Sequence, residues 1–210
     1  MAGLPTNLKQ IALFLQRLPG IGEKTANRLA FYFLRMPEKD LQDFAESIQN
    51  LKNKTKMCSV CFNLTENKVC EICEKTDRDK TSIVVVEDVL DLLSFETGNI
   101  YQGVYHVLHG KIDPLNNVGP DDIYIDKLID RVKTSLVENS RVKEIILATN
   151  LDTEGEATAM YIRNKLVELQ KKRSKKFKIT RLAYGLPIGA NLEYADYMTL
   201  KKSIDGRSEF

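Results

Sequence analysis

The sequence predicts an α/β domain with a parallel sheet flanked by helices, preceded by an α-helical segment and a small four-cysteine segment. The first observation is the run TSIVVVE at 81–87, whose consecutive β-branched residues are typical of a strand buried on both faces. The second is the alternation of later apolar runs with helical patterns. The third is a short cluster that holds all four cysteines of the chain. We therefore divide the chain into residues 1–56, 57–80, 81–182 and 183–210.

Composition and charge limit the function classes. The 210 residues are 43% hydrophobic and 29% charged, which is ordinary for a globular protein. No apolar run approaches the roughly 20 residues that a membrane helix needs, and the N-terminus lacks the pattern of a signal peptide, so we expect a cytoplasmic protein. The net charge is only +2. It disfavours a monomer that grips DNA by electrostatics alone, since affinity grows with each phosphate neutralised.

Three amphipathic helices are predicted in residues 1–56. Apolar residues recur at three- and four-residue spacing in each, which places them on one helix face. They are Ile11, Phe14, Leu15 and Leu18 in the first helix, Ala26, Leu29, Ala30, Phe33 and Leu34 in the second, and Leu41, Phe44, Ile48 and Leu51 in the third. The third helix is expected to begin after Pro37, because proline is favoured at the start of a helix.

The turn LPGIG at 18–22 separates the first two helices. Gly20 and Gly22 permit a tight turn with positive φ and let a partner approach the backbone closely. The free N–H groups at the start of the next helix form a ready phosphate site. Lys24 and Arg28, four residues apart, share one helix face and could flank the same phosphates. The alternative is a plain αα-hairpin packed in a core, which the GxG pattern alone would favour.

The four cysteines follow the spacing Cys58-x2-Cys61-x8-Cys70-x2-Cys73. Each CxxC pair places two thiolates on a tight turn, so the two pairs can complete a tetrahedral sulfur shell around zinc. A disulfide framework is disfavoured in a cytoplasmic protein, and a redox CxxC would need a thioredoxin-like helix start. We therefore expect one structural zinc per chain, with a closed shell and no open position for catalysis.

Strands and helices alternate along the α/β part. After the strand at 81–87, strands are predicted at 104–108, 144–149 and 178–184, and helices around 128–136 and across 156–169. His106 and His109 flank the end of the second strand, where we expect hydrogen-bonded structural groups rather than ligands or bases.

Carboxylates gather at two of these strand ends. Glu87 ends the first strand, and Asp152 and Glu154 follow the strand at 144–149. The carboxyl ends of parallel strands converge on one crevice, and oxygen ligands suit Mg²⁺, which can polarise phosphoryl oxygens. The alternative is that these acids complement the helix dipole and stay solvated, a role that fits Glu154 and Glu156.

Two segments resemble known modules. LPGIGEKTANRLAF resembles a helix–hairpin–helix, which binds the DNA backbone without reading sequence, and the resemblance implies that Lys24 and Arg28 contact phosphates. VVVE together with ATNLDTEGEATAMYI resembles the Toprim domain of topoisomerases and primases. Glu87 matches the lone glutamate of that family and Asp152 the second aspartate of its DxD element. Asn150 stands at the first aspartate, so the resemblance implies weak Mg²⁺ binding at most.

The order of the modules resembles the RecR family of bacterial recombination mediators over nearly the whole chain. Further markers are CSVC…CEIC, GVYHVLHGKIDPLNNVGPDDI and RLAYGLPIGANLEYADYMTL. The resemblance implies a protein that acts with RecO, and in many bacteria RecF, to load RecA onto single-stranded DNA. It also implies a ring-shaped tetramer, with residues 183–210 as an arm for oligomerisation and the acids Glu154 and Glu156 as a docking surface for RecO. Four weak patches on a ring would answer the objection from net charge.

The leading hypothesis is therefore a non-enzymatic DNA-repair mediator. It is a zinc-containing clamp that binds single- and double-stranded DNA without sequence specificity, in the cytoplasm and in association with the nucleoid. The alternative is a Mg²⁺-dependent Toprim nuclease or topoisomerase-like enzyme with Glu87, Asp152 and Glu154 as ligands, against which Asn150 speaks. A third option is a protein-only adaptor whose hairpin never touches DNA.

Overall fold

The chain folds into two compact units, Met1–Thr55 and Lys56–Phe210. The structure, a computed structural model, describes residues 4–137, 142–172 and 176–207. The first unit is all helical, and the second combines the cysteine segment, a parallel sheet and the C-terminal segment. The predicted class, an α/β domain with a helical segment and a four-cysteine knuckle, is confirmed.

The N-terminal unit consists of three helices: α1 (Thr6–Gln16), α2 (Glu23–Phe33) and α3 (Glu38–Lys54). Helices α1 and α2 pack through small buried residues, among them Ala12 and Ala30, whose short side chains let two helices approach closely. Pro37 is the N-cap of α3, as the sequence predicts. Although α3 is amphipathic, none of its residues is buried. Its apolar side therefore stays available for a further contact.

The sheet of the second unit has four parallel strands in the order β4-β3-β5-β6. They are β3 (Asp79–Val86), β4 (Gly103–Val107), β5 (Glu144–Leu147) and β6 (Lys178–Arg181). Three longer helices connect them: α5 (Val89–Thr97), α6 (Ile125–Val137) and α7 (Thr153–Lys171). Both faces of the sheet are covered, because alternate side chains of β3 enter two separate apolar clusters.

The cysteine segment forms a short antiparallel pair, β1 (Lys56–Met57) and β2 (Leu64–Thr65), followed by the one-turn helix α4 (Glu71–Glu74). The C-terminal segment carries helix α8 (Tyr197–Asp205). Within the parts of the chain that the structure describes, no helix is long and apolar enough to cross a membrane.

The register of the sheet positions the carboxylates. Val85 of β3 pairs with Leu147 of β5, so both strands end at the same level, just before Glu87 and Asn150. Strand β5 ends two residues earlier than predicted, and α7 begins three residues earlier. The reason is local, since the Asp152 carboxylate caps α7 by accepting a hydrogen bond from the Gly155 N–H at 2.8 Å.

A partly buried ion pair between Arg78 and Glu96 links the start of the sheet to α5. The guanidinium of Arg78 donates to both carboxylate oxygens of Glu96, and it also donates to the backbone carbonyls of Tyr101 and Gly103. The Tyr105 hydroxyl donates to the same carboxylate at 2.7 Å. Burial raises the pKa of Glu96, but these donors outweigh it and the pKa is lowered. The pair therefore contributes stability at neutral pH.

Candidate functional site

The four cysteine side chains converge on one point. The sulfur atoms of Cys58, Cys61, Cys70 and Cys73 all lie within 4.8 Å of one another, and the first three residues are buried. Cys61 Sγ and Cys70 Sγ are 3.4 Å apart. A tetrahedron with Zn–S bonds of about 2.3 Å has S–S edges of about 3.8 Å. A small shift of the sulfur atoms would therefore give the geometry of a zinc-bound site.

Backbone donors surround the sulfur cage. The N–H groups of Val60 and Cys70 point at Cys58 Sγ, at 3.5 and 3.3 Å. Hydrogen bonds from Cys61 and Cys73 lower the pKa of the Cys70 thiol, while the hydrogen bond to Cys70 raises the pKa of Cys61. Donors of this kind stabilise thiolate, which is the form that binds metal. The donor set fits Zn²⁺, and four sulfur ligands close its shell.

The knuckle is anchored on the edge strand β4. The Val107 N–H donates to the Cys61 carbonyl at 2.8 Å. Phe62 has a φ of 64° and its ring stacks on Tyr124, with centroids 4.4 Å apart. Its carbonyl accepts a hydrogen bond of 2.6 Å from His109 Nε2. A bulky residue in the left-handed region is costly, so the stack and the hydrogen bond must hold it there.

Both histidines have structural roles. His109 fixes the knuckle as described, and His106 Nε2 lies 2.9 Å from the Tyr124 carbonyl, so that nitrogen carries the proton. Burial lowers the pKa of His106 to about 3. Its ring is therefore neutral at physiological pH.

The carboxylate cluster consists of Glu87, Asp152 and Glu154, of which Glu87 is buried and is hydrogen-bonded to Asn150. The Asn150 backbone N–H donates to one carboxylate oxygen of Glu87 at 2.8 Å, and its side-chain amide donates to the other at 2.7 Å. Glu87 is only 3% exposed. Burial raises the pKa of Glu87, and the two hydrogen bonds offset part of that rise. Asn150 thus supplies the donors that a buried carboxylate needs.

Lys111 supplies the positive charge of the cluster. Its ammonium forms a hydrogen-bonded ion pair with Asp152 and lies 3.7 Å from the Glu154 carboxylate. The hydrogen bond to Asp152 raises the pKa of Lys111, and the same bond lowers the pKa of Asp152. A cation of the chain itself therefore stands between two of the acids that the sequence predicts as Mg²⁺ ligands.

Gly155 closes the cluster from the side of α7. A Cβ atom at this position would lie 2.3 Å from the Asn150 carbonyl and 2.7 Å from Oε1 of Glu87. Both distances are far below those that real Cβ atoms show. The first turn of α7 can approach the end of β5 only because residue 155 has no side chain.

Glu156, in the same first turn of α7, pairs with Arg181. Nε and Nη2 of Arg181 contact one carboxylate oxygen of Glu156 at 3.1 and 2.7 Å. The same guanidinium donates to the carbonyls of Leu147 and Asn150, at 2.8 and 3.0 Å. Burial would raise the pKa of Glu156, but the Arg181 hydrogen bond outweighs it and the pKa is lowered. Arg181 therefore braces the loop that carries Asn150.

The predicted Mg²⁺ ligands do not converge as the cysteines do. Among the described residues, the four cysteines are the one group of three or more His, Cys, Asp or Glu whose ligand atoms come together. Glu87 is occupied by Asn150, and Asp152 is occupied by Lys111 and the Gly155 N–H. The Glu87 and Asp152 carboxylates are therefore paired with hydrogen-bond donors of the chain itself.

The hairpin between α1 and α2 has one glycine that its backbone requires. Gly20 has a φ of 80°, whereas Gly22 has a φ of −81° and is the N-cap of α2. Nothing lies within 4 Å of a Cβ built on either glycine, so the space above both is open. No side chain caps the first turn of α2, which leaves its N–H groups free for an anion.

Lys24 and Arg28 are exposed on α2. They line a groove of about 500 Å³, together with Asn27, Phe31, Tyr32 and Arg35. None of these four was among the predicted contacts. A helical-spacing count from Lys24 would have found them, since they continue the same stripe at three- and four-residue intervals.

Lys111, Gly155 and Arg181 were also missed. Lys111 and Arg181 follow or end strands of the sheet, so the strand-end argument that selected Glu87 could have included them. No local sequence signal distinguishes Gly155 from a glycine in the first turn of any helix.

Comparison with known families gives four matches that follow one another along the chain. They are the RecR helix-hairpin-helix at residues 9–52, the RecR four-cysteine zinc finger domain at 55–74, the Toprim domain at 81–183, and the RecR C-terminal segment at 185–208. The zinc finger match covers the sulfur cage, which is therefore a zinc site. The Toprim match covers the sheet and its carboxylate cluster.

Curated relatives resemble the chain over nearly its whole length. The recombination protein RecR of Lactobacillus helveticus is 48% identical over 192 residues, 91% of this chain and 92% of that protein. The same protein of Lactobacillus johnsonii is 48% identical over 193 residues, 92% of each. That of Ligilactobacillus salivarius is 46% identical over 205 residues, 98% of each. The chain belongs to the RecR family of recombination proteins, and its role lies in DNA recombination and repair.

Proposed function

We propose that this protein is a non-catalytic recombination mediator. In this proposal it binds single- and double-stranded DNA without sequence specificity and acts with RecO, and with RecF where that protein is present, to promote RecA loading on single-stranded DNA. The observation that carries the proposal is the carboxylate cluster. It keeps the Toprim arrangement at the strand ends, but Asp152 and Glu154 lie beside the Lys111 ammonium and Glu87 is hydrogen-bonded to Asn150.

Catalysis by a Toprim site depends on a metal that several carboxylates hold. Here Asn150 replaces one carboxylate with a neutral amide that binds Glu87. Asp152 already has an ammonium partner. A magnesium ion would have to displace Lys111 and give up waters that it releases reluctantly. These contacts support at most a weak affinity for Mg²⁺. They therefore favour a mediator over a nuclease.

Binding to DNA is assigned to the hairpin and to α2. The uncapped N-terminus of α2 offers N–H groups to a phosphate, and Gly20 and Gly22 leave the backbone open to close approach. Lys24 and Arg28 add positive charge along the adjacent helix face. Each contact is weak alone, so several copies of the chain would be needed for useful affinity.

Assembly into a ring-shaped homotetramer supplies those copies. The N-terminal unit exposes a set of large apolar side chains that a monomer would not keep in water. They are Phe14, Leu18, Leu34, Leu41, Phe44, Ile48 and Leu51. The C-terminal segment exposes a second set, namely Ile188, Leu192, Tyr194, Tyr197, Met198 and Ile204. Two apolar faces on one chain are what a closed ring with two kinds of interface requires.

The acidic surface at the start of α7 is the proposed docking site for RecO. Glu154 and Glu156 lie in its first turn, and neither is fully buried. Glu154 has a single distant cation at 3.7 Å, so a basic group of a partner protein can compete for it. Glu156 forms an ion pair with Arg181. It contributes its charge to the docking surface and, through Arg181, the shape of the loop that carries Asn150.

Three measurements on the full chain test the proposal. We expect a native mass of about four times 23.9 kDa, binding of labelled single- and double-stranded oligonucleotides that falls with Lys24→Ala or Arg28→Ala, and no DNA cleavage with Mg²⁺. Lys165→Ala is a matched control, because Lys165 lies on α7 and outside the hairpin. Cleavage that disappears in Glu87→Gln would overturn the proposal in favour of a Toprim nuclease.

A further inference from the structure

The groove on α2 is lined by two chemically different kinds of side chain. Three are cations, Lys24, Arg28 and Arg35, and two are aromatic, Phe31 and Tyr32. The two aromatic residues are 44% and 63% exposed. None of the described residues that line the groove is acidic. Exposed aromatic rings between cations are the pattern that unpaired nucleic acid requires, because bases stack on the rings while the cations attract the phosphates.

We infer that this groove is a binding site for single-stranded nucleic acid, with Tyr32 and Phe31 as stacking platforms for unpaired bases. The inference rests on the proposed DNA-binding function and assigns a strand preference and two stacking residues to it. Paired bases in a duplex keep their faces inside the stack, whereas an unpaired strand can turn its bases outward onto aromatic side chains. A platform of this kind therefore favours single strands over duplexes.

The dimensions of the stripe suit a short oligonucleotide. From Lys24 to Arg35 the stripe runs for about 11 residues, which at 1.5 Å per residue is about 16 Å. At the roughly 3.4 Å spacing of stacked bases this length corresponds to about five nucleotides. The uncapped N-terminus of α2 lies at one end of the stripe and Arg35 at the other. A strand could thus be held by phosphate contacts at both ends and by stacking between them.

Charge argues against a second copy of the chain as the occupant. If two copies met face to face at this groove, Lys24, Arg28 and Arg35 of one would oppose the same three cations of the other. Like charges brought together out of water destabilise a contact. The apolar faces of α1 and α3 expose Phe14, Ile48 and Leu51 and are better suited to self-association.

The test compares Tyr32→Ala, Tyr32→Phe and Lys24→Ala with the wild-type full chain. Fluorescence anisotropy measures binding to a labelled oligo-dT and to a duplex of equal length, at several salt concentrations. Stacking on a protein aromatic ring is worth enough that Tyr32→Ala should weaken oligo-dT binding roughly 5- to 100-fold per site, and duplex binding less than twofold. Tyr32→Phe keeps the ring and should bind oligo-dT nearly as well as wild type.

Salt dependence separates stacking from electrostatics. Lys24→Ala should reduce the slope of log affinity against log salt by roughly 0.7 for a single strand, whereas Tyr32→Ala should leave the slope unchanged. Leu90→Ala is the control, because Leu90 is a large apolar residue that is 74% exposed on α5 and does not line the groove. An oligonucleotide carrying 5-iododeoxyuridine should crosslink on irradiation to a peptide that contains Phe31 and Tyr32.

Other results of these measurements would contradict the inference, the proposed function, or both. If Tyr32→Ala weakens single-strand and duplex binding equally, or halves the native mass, the groove is an assembly surface and the inference is wrong. Unchanged oligo-dT binding by Tyr32→Ala also overturns it, while the proposed mediator function survives so long as Lys24→Ala still weakens binding. If the wild-type chain binds neither oligo-dT nor duplex, the proposed function fails together with the inference.

Discussion

Gly155→Ala is the substitution whose effect follows most directly from the geometry of the carboxylate cluster. The added Cβ would lie 2.3 Å from the Asn150 carbonyl, 2.7 Å from Oε1 of Glu87 and 2.9 Å from Oδ1 of Asp152. The first neighbour is backbone, and the second belongs to a side chain that is only 3% exposed. Neither can move aside without breaking a hydrogen bond, so the cluster itself must open.

The magnitude is the balance of three contributions. Overpacking of a filled site costs about 1–3 kcal/mol, and loss of one hydrogen bond between Asn150 and the Glu87 carboxylate costs about 1.5–3 kcal/mol. The higher helix propensity of alanine over glycine returns up to about 1 kcal/mol. The net destabilisation of the sheet unit is therefore about 2–4 kcal/mol. At about 2–4 °C per kcal/mol for a unit of this size, the Tm falls by roughly 5–15 °C.

Differential scanning calorimetry of the full chain measures this effect, and Gly185→Ala is its control. Gly185 has no atom within 4 Å of a built Cβ and no positive φ, so its substitution should change stability by about 0.5 kcal/mol or less. A Gly155→Ala protein that melts together with wild type would show that α7 does not press on the cluster. That result would refute the proposal that the carboxylates of the cluster are paired with groups of the chain itself.

Three further predictions concern the charges and the metal. Lys111→Met removes the competing cation, so Mn²⁺ affinity, followed by the electron paramagnetic resonance of the free ion, should rise roughly tenfold because the ligand charge is no longer neutralised; unchanged affinity would contradict the occupied-site argument. Zinc analysis should find one ion per chain, and Cys73→Ser should release it to a chromogenic chelator roughly tenfold faster, since three thiolates hold the metal less tightly than four. Arg78→Ala should cost about 3 kcal/mol at pH 7, because it strands the Glu96 carboxylate. Since the pKa of Glu96 is lowered in the folded state, that stability is present above the ordinary glutamate pKa and lost as the pH falls through the lowered value, so the difference between Arg78→Ala and wild type in urea denaturation should shrink in acid.

The features that sequence could predict are those with short-range causes. The zinc cage follows from the spacing of Cys58, Cys61, Cys70 and Cys73, because each pair lies on one turn and needs no distant partner. The core strands follow from β-branched runs, and the meeting of Glu87 with Asn150 follows from a general property of parallel sheets. In each case the information lies within a few residues or in a rule of topology.

The missed features depend on how distant segments return to the same place. Lys111 reaches Asp152, 41 positions away, only because the chain turns sharply after β4. That turn places His109 at a φ of 57° and Gly110 at a φ of 145°, and the hydrogen bond from His109 to Phe62 holds it. The zinc knuckle therefore helps to set the direction in which Lys111 leaves the sheet, a link that no motif in the sequence contains.

Asn150 is the residue that supplies both hydrogen bonds to the buried Glu87 carboxylate. Its side-chain amide donates to the Glu87 carboxylate at 2.7 Å, whereas an aspartate there would have no donor and would place a second negative charge at the same distance. Two carboxylates so close cannot both ionise without a cation, so Asn150→Asp should hold a proton at neutral pH or recruit Mg²⁺.

The measurable consequence is a stability that depends on Mg²⁺ and on pH. Because the pKa of the Asn150→Asp pair would be raised in the folded state, the variant should match wild type in mild acid and lose stability as the pH rises through that value. In EDTA at about pH 8 its Tm should lie below that of wild type, and millimolar Mg²⁺ should restore it, while the wild-type Tm stays unchanged by Mg²⁺. If both proteins respond to Mg²⁺ alike, the wild-type cluster is itself a metal site and Lys111 does not replace the ion. The identity of residue 150 would then have no bearing on whether this Toprim domain can do chemistry.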